Sequence, residues 1–148
     1  FVCFQPPYSI LRRTMETEVY PMSLKFGMAN IVWSPLEGGW LTGKYRRGQI
    51  NPLDSPRASG WVGDISNPRF ARRLDVVEEL IKLSASRNVP LAELAVAWSL
   101  VHPAVTCSII GPRTMEQLES NLRSLDVSLS KEDLATIDRL VEPGSSVL

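Results

Sequence analysis

Three short apolar segments constrain the fold of this chain more than any other feature of its sequence. They are FVCFQ at residues 1–5, ANIVW at 29–33 and VTCSII at 105–110. Each is too short for a stable helix and is followed by polar, glycine or proline residues, so each predicts a β-strand. Longer helical patterns lie between the segments, and this alternation is typical of an α/β fold with a parallel sheet. The unbroken apolar runs also predict strands that are buried on both faces.

Start and stop signals divide the helical patterns into separate helices. Gly27 is placed to end a short helix between the first two segments. Asn67 followed by Pro68 is typical of a helix start, and the next helix is expected to begin near Pro90. Residues 34–66, which are rich in glycine, proline, serine and asparagine, form a long connection of the kind that often carries function.

Two further helices are predicted after the third apolar segment. Thr114 begins the first of them, and the sequence TMEQ predicts a capping box in which Gln117 reaches back to the cap. Ser130 begins the last helix, and Asp133 is favourably placed in its first turn. Three leucines of the first helix are predicted to face inward: Leu118, Leu122 and Leu125.

Composition and charge exclude several classes of protein. Sixteen basic residues balance sixteen acidic ones, so no overall field would hold the chain on nucleic acid or on an anionic membrane surface. No apolar run approaches the roughly 20 residues that span a bilayer. Cys3 and Cys107 make no disulfide framework, and their apolar surroundings predict buried thiols in a reducing compartment. We therefore expect a cytoplasmic protein without nucleic-acid or membrane partners.

Polar and glycine residues after each predicted strand indicate a ligand site, because ligands of parallel α/β folds bind beyond the carboxyl ends of the strands. Gln5 offers a side-chain amide that could pair with a carboxamide, and Trp33 offers a flat stacking surface. Lys44 follows a glycine-rich stretch and supplies a positive charge. Gly111 and Arg113 precede a helix start and could hold an anion. These residues suit a carboxamide, a flat ring, a pyrophosphate and a further phosphate. In this order they are the groups of a nicotinamide dinucleotide with a 2′-phosphate.

Each of these residues also has an ordinary structural interpretation when it is taken alone. Gln5 could bond to backbone, Trp33 could lie in the core, and Arg113 could be a solvated charge. The segment GGWLTGK lacks the complete phosphate-loop pattern because Tyr45 follows the lysine. His102, near a helix end, is expected to be a helix-terminal cation rather than a catalytic group. The ligand interpretation gains support only because the residues follow successive strands.

Five segments of the chain occur in a recognisable order: FQPPYSILRR, IVWSPLEGGWLTGKY, SPRAS, LAELAVAWSL and SIIGPRTMEQLESNL. Together they resemble the C-terminal half of the aldo-keto reductases, most closely the branch of potassium-channel β-subunits and related bacterial reductases. The resemblance implies an α/β fold, the (β/α)8 TIM barrel, of which residues 1–148 would be the C-terminal portion with strands 6 to 8. Closing such a barrel takes about eight strands, so the chain is expected to be incomplete without the N-terminal half.

The resemblance implies a site for NADPH. It implies that Gln5 bonds the nicotinamide carboxamide and that Trp33 stacks on the nicotinamide ring. The other implied cofactor residues contact the pyrophosphate, the 2′-phosphate or the adenine end: Ser34, Pro35, Leu36, Gly38, Lys44, Arg57, Gly111, Arg113, Gln117 and Asn121. Ser120 stands where many members carry a glutamate, which leaves the adenine or ribose contact open. Arg113 favours NADPH over NADH, because a guanidinium pairs better with a phosphate than with a hydroxyl.

The resemblance also implies an oxidoreductase that reduces small aldehydes or ketones to alcohols by hydride transfer. The family's catalytic tyrosine, lysine, aspartate and histidine come from the other half of the barrel, so the chain is expected to bind NADPH but to be inactive alone. Tyr8, Tyr20 and Tyr45 do not have the catalytic context. Two alternatives stay open: a regulatory module that senses NADPH without turnover, and an unrelated α/β barrel that binds phosphate.

Overall fold

The computed structural model describes residues 1–48 and 65–147. Within these residues, three strands form one parallel sheet in the order β1 (Cys3–Phe4), β2 (Ala29–Trp33) and β3 (Val105–Ile109). The predicted α/β fold with a parallel sheet is therefore confirmed. β1 is shorter than the predicted segment because two prolines follow Gln5 and have no N–H group to continue the ladder.

Five α-helices accompany the sheet in the described part of the chain. They are α1 (Val19–Phe26), α2 (Ala71–Ser86), α3 (Leu91–Ser99), α4 (Met115–Arg123) and α5 (Lys131–Leu140). Short 3-10 turns lie at Thr14–Glu16, Glu37–Thr42, Pro68–Phe70 and Ser124–Asp126. Among the helices that the structure describes, none is long and apolar enough to cross a membrane.

The helix boundaries follow the local signals in the sequence. Gly27 ends α1 in the left-handed conformation, with φ of 64°. Asn67 caps the turn Pro68–Phe70 that leads into α2. Ser130 caps α5 in a complete capping box, in which the Asp133 carboxylate accepts the backbone N–H of Ser130 at 2.8 Å. These predicted starts and stops are confirmed.

The prediction that α4 buries a leucine stripe is wrong. Leu122 is 51% exposed and Leu125 is 70% exposed, while Leu118 is only half-buried. The buried residues of this segment are Asn121 and Ser124, because α4 and the turn after it pack against α3 through that side. An apolar face of α4 is therefore left uncovered within residues 1–48 and 65–147.

The prediction that the strands are buried on both faces is also wrong. In β2, Asn30 and Val32 are buried but Trp33 is 40% exposed. Cys3 and Cys107 are exposed on the neighbouring strands, so the expected buried thiols are not found. The physical reason is that the described helices cover one face of the sheet at β2, whereas the other face has no layer of described residues against it. The edge strand β1 is exposed at both of its residues. Apolar side chains on that second face remain accessible.

A buried polar network joins the segment after β1 to the C-terminal residues. The Tyr8 hydroxyl and the Arg13 Nε group both donate to Glu16 Oε1, at 2.6 and 2.9 Å. Arg13 Nη1 donates to the Val141 carbonyl at 2.7 Å, and the Gly144 N–H donates to Glu16 Oε2 at 3.0 Å. Burial and then the hydrogen bond to Glu16 raise the pKa of Tyr8 far above its ordinary value. The phenol therefore stays protonated and remains a donor.

Replacing Gly144 with alanine is expected to destabilise the fold by about 2 to 3 kcal/mol. Gly144 has φ of +77°, and a Cβ there would lie 2.5 Å from Thr17 Cγ2. Gly27→Ala is the matched control, since Gly27 has φ of +64° with nothing within 4 Å of the added Cβ, and should cost only about 1 kcal/mol. Urea unfolding of both variants measures the difference. Equal losses would show that Thr17 moves aside without cost.

Candidate functional site

The carboxyl ends of the three strands meet at one edge of the sheet. The Trp33 N–H donates to the Pro6 carbonyl, and the Tyr8 N–H donates to the Trp33 carbonyl, both at 3.1 Å. On its other side Trp33 pairs in register with Ile109. Gln5 directly precedes Pro6 and is exposed. The structure thus brings together the strand ends that the sequence predicted to carry the ligand site.

The Trp33 side chain lies on the open face of the sheet rather than in the core. It is 40% exposed, whereas its neighbour Val32 is fully buried on the opposite face. The interpretation of Trp33 as an ordinary core residue therefore does not hold for the described residues. An accessible indole beside the exposed amide of Gln5 offers a ring surface and hydrogen-bonding groups at the same strand ends.

The backbone turns sharply in the segment that follows β2. Pro35 is buried in this segment, and Leu36 and Gly38 are half-buried. A positive φ at a residue other than glycine is uncommon, and Ser34 is such a residue beside β2. Five residues of the segment have positive φ values between 45° and 98°: Ser34, Glu37, Gly38, Gly39 and Gly43. This tight left-handed path keeps the segment close to the end of β2.

Lys44 folds back over this segment. Its Nζ lies 4.9 Å from the centre of the Tyr45 ring, a cation–π distance. A Cβ added to Gly39 would lie 2.9 Å from Lys44 Cε. The space beside Gly39 is therefore filled by the lysine side chain and is not open to a ligand.

The end of β3 leads directly to the start of α4. Gly111 and Arg113 are exposed there. Thr114 caps α4 as predicted, accepting the Gln117 N–H at 3.2 Å. Gln117 was expected to reach back to the cap, but its Oε1 accepts the N–H of Arg113, one residue earlier, at 2.8 Å. These two N–H groups are thus already bonded, and the exposed Arg113 side chain is the cationic group at this strand end.

Another predicted cofactor residue, Asn121, differs from this exposed group. Asn121 is only 8% exposed, on the side of α4 that packs against α3. Ser120, which precedes it, donates its hydroxyl to Glu93 Oε1 of α3 at 2.8 Å. The Ser120 side chain is therefore engaged with the protein itself. Arg57 lies outside the described residues.

A cluster of four side chains near the strand ends was missed by the sequence analysis. Glu37, only 9% exposed, accepts hydrogen bonds from Ser9 Oγ at 3.0 Å and from Arg12 Nη2 at 2.9 Å. Arg73 of α2 is also buried, and this burial lowers the pKa of its guanidinium, while the charge of Glu37 opposes the shift. The only sequence signal was a carboxylate inside a stretch of glycine and apolar residues.

His102 was expected to be a helix-terminal cation, and the structure corrects this expectation. Burial lowers the pKa of His102 below its ordinary value, which favours the neutral imidazole at pH 7. Its Nδ1 accepts the backbone N–H of Ala104 at 3.2 Å, and its ring packs 4.7 Å from that of Tyr20. His102 therefore packs against aromatic residues at the edge of the core.

The family match decides what kind of chain this is. A model of the aldo/keto reductase family matches residues 1–142. This chain belongs to that family. Members of the family bind nicotinamide cofactors, which is the class of ligand that the strand ends indicated.

Named relatives of this chain include both kinds of protein in the branch that the sequence resembles, a bacterial oxidoreductase and a potassium channel subunit beta. An oxidoreductase of Bacillus subtilis is 35% identical over 134 residues, covering 90% of this aldo/keto reductase chain and 38% of the relative. A putative voltage-gated potassium channel subunit beta of Schizosaccharomyces pombe is 31% identical over 144 residues, covering 95% and 42%. The predicted family and branch are confirmed.

A solved structure shares the arrangement of strands and helices. The glycerol dehydrogenase of Gluconobacter oxydans superposes with a TM-score of 0.78 at 27% identity, covering 94% of this aldo/keto reductase chain and 42% of that protein. The chain therefore spans less than half the length of each of these relatives.

Proposed function

We propose that this chain is the cofactor-binding portion of an NADPH-dependent aldo/keto reductase that reduces aldehydes or ketones to alcohols. One observation carries the proposal: an exposed amide, an accessible indole and an exposed guanidinium, those of Gln5, Trp33 and Arg113, follow three adjacent parallel strands. The chain would contribute strands 6 to 8 of a (β/α)8 barrel, and the rest of the barrel would complete it. Its apolar open face and the uncovered Leu122 and Leu125, of α4 and the turn after it, are the surfaces that such a completion would bury.

The proposed cofactor fits the chemistry of the strand ends. Gln5 would pair with the nicotinamide carboxamide, and Trp33 would stack on the nicotinamide ring. The segment that begins at Ser34, together with Lys44, would face the pyrophosphate. Arg113 would meet the 2′-phosphate, and a guanidinium matches phosphate geometry better than it matches a hydroxyl. This last pairing is why we propose NADPH rather than NADH.

The described tyrosines are not suited to donate a proton to the substrate. Tyr8 is buried and donates to Glu16, and burial raises the pKa of both Tyr8 and Tyr20 well above the ordinary value. Tyr45 is fully buried. When bound, NADPH supplies a hydride to the carbonyl carbon, and a proton must reach the carbonyl oxygen. We propose that this proton comes from residues of the completing part of the barrel, so the chain alone is inactive.

A second candidate function is a module that senses NADPH without turning it over. The observation that favours it is the 31% identity to a protein named as a potassium channel subunit beta. The two candidates share the cofactor site and differ in whether the completed barrel reduces a carbonyl compound.

Titration of the chain with NADPH, followed by quenching of tryptophan fluorescence, tests the proposal. We expect saturable quenching by NADPH and weaker quenching by NADH. Absorbance of NADPH in the presence of a simple aldehyde then measures turnover, which we expect only when the rest of the barrel is supplied. Binding without turnover by the completed barrel would favour the sensing module. Absence of binding both by the chain and by the completed barrel would overturn the cofactor assignment.

A further inference from the structure

Glu37 is a buried carboxylate within the segment that follows β2. It accepts one hydrogen bond from Ser9 Oγ at 3.0 Å and one from Arg12 Nη2 at 2.9 Å. Both donors belong to the segment after β1, more than twenty residues earlier in the chain. The carboxylate therefore connects the segments that follow two adjacent strands. Burying a charge in this way is unfavourable unless the partners are well placed.

The backbone around Glu37 follows a path that glutamate does not favour. Glu37 has φ of 45° and Ser34 has φ of 63°, and both lie in the left-handed region. The Glu37 N–H donates to the Ser34 carbonyl at 2.9 Å, so the two strained residues close one turn. Such conformations persist only where the surrounding contacts determine them. The side-chain hydrogen bonds of Glu37 tie this turn to the segment after β1.

The charges around Glu37 require a carboxylate rather than a neutral group. Arg12 Nε is buried and has no hydrogen-bond partner in the described part of the chain, so the bond from Nη2 to Glu37 is the ion pair that compensates this guanidinium. Burial lowers the pKa of Arg73, and the negative charge of Glu37 opposes that shift. A glutamine at this position would keep the shape but would remove the charge and one of the two acceptors.

We propose that Glu37 is a positioning residue for the cofactor: its bonds to Ser9 and Arg12 hold the turn at Ser34 against the ends of β1 and β2. The turn can then present its backbone to the pyrophosphate beside the Trp33 ring. The inference rests on the proposed function and adds a residue that does not itself touch the cofactor. Glu37 would position the part of the site at the ends of β1 and β2. The part formed by Arg113 and the start of α4 would not depend on it.

The experiment compares two probes that differ in how much of the site they use. NADPH spans the whole proposed site, whereas adenosine 2′,5′-bisphosphate uses only the end near Arg113. Isothermal titration of the chain and of Glu37→Gln is expected to show about tenfold weaker NADPH binding in the variant, the size typical of losing a hydrogen bond to a charged group. Binding of the bisphosphate is expected to change less than twofold.

The matched control is Asp133→Asn, which alters another buried carboxylate that is bonded by a serine hydroxyl and lies 3.5 Å from an arginine. It lies at the start of α5, and we expect it to leave both probes unaffected. Ser9→Ala removes only one neutral bond to Glu37 and should weaken NADPH binding about threefold, so the test still holds if Glu37→Gln does not fold.

Three outcomes are distinguishable. Weakened NADPH binding with unchanged bisphosphate binding supports the positioning role. Equal weakening of both probes, or no change in either, means that Glu37 has a general structural role or none at the site, and overturns the inference while the cofactor site stands. If neither the unchanged chain nor the completed barrel binds either probe, the proposed function fails and this inference fails with it. If only the completed barrel binds them, the same comparison of variants is made in the completed barrel.

Discussion

Replacing Arg113 with alanine is expected to weaken binding of NADPH by roughly 10- to 100-fold and to leave binding of NADH nearly unchanged. A guanidinium that pairs with a phosphate forms charge-assisted, often bidentate hydrogen bonds, and losing them costs about 1.5 to 3 kcal/mol. NADH carries a hydroxyl in place of the 2′-phosphate and gains little from the same side chain. Because Arg113 is exposed at the end of β3, the substitution leaves the core unchanged.

Fluorescence titration with both cofactors, at several salt concentrations, measures this selectivity. Arg139→Ala is the control, because Arg139 is another exposed arginine and its described hydrogen bond is to Thr136 within α5. The control should bind both cofactors as the unchanged chain does. An Arg113→Ala variant with an unaltered preference for NADPH would show that the 2′-phosphate, if it is recognised, is recognised elsewhere.

Replacing Glu16 with alanine is expected to destabilise the fold by about 3 to 5 kcal/mol, the range observed when one partner of a buried ion pair is removed. The Glu16 side chain is 8% exposed, and the Arg13 side chain that donates to it is 6% exposed. The substitution would leave the Tyr8 hydroxyl and the Gly144 N–H without their acceptor. Each such loss adds a desolvation penalty.

Urea or thermal unfolding measures this effect. The control is Glu79→Ala, which removes an i, i+3 ion pair with Lys82 in which the two side chains are 49% and 72% exposed. Exposed pairs of this kind contribute about 0 to 1 kcal/mol. Similar losses in the two variants would mean that the Glu16 network is compensated by water or by rearrangement of the C-terminal residues.

Helix boundaries could be predicted because the signals that set them are local. Gly27, Asn67 and Ser130 act on backbone groups within four residues of themselves, so the local sequence contains both partners of each interaction. The meeting of the strand ends at the site was predicted from the parallel sheet. In a parallel sheet all carboxyl ends lie at one edge, so Gln5, Trp33 and Arg113 were expected to be near one another.

Burial could not be predicted in the same way. Periodicity shows that Leu118 and Leu122 share a face of α4, but it does not show whether another layer covers that face. The same limit applies to Cys107, whose apolar strand is exposed in the described structure. Apolar patterns indicate which surface is suited to burial, and the packing of distant elements decides whether burial occurs.

The cluster around Glu37 was beyond sequence analysis because its partners are distant in the chain. Ser9 lies 28 residues and Arg12 lies 25 residues before Glu37, with a helix and a strand between them. Gln117 illustrates a smaller error of the same kind. Its side chain accepts the N–H of Arg113 instead of the expected N–H of Thr114. Which N–H it reaches depends on the path of the backbone after β3.

The contacts of the C-terminal residues have a consequence for the order of folding. The bonds from Arg13 to Val141 and from Gly144 to Glu16 each join residues 128 positions apart. Contacts of such high sequence separation form only after a large loop has closed, and they slow folding. The Leu11 carbonyl likewise accepts the Val147 N–H at 2.8 Å. During synthesis, Leu11 and Arg13 emerge from the ribosome long before these partners do. This part of the core therefore assembles last, and a nascent chain must keep it accessible without aggregating until translation reaches Val147.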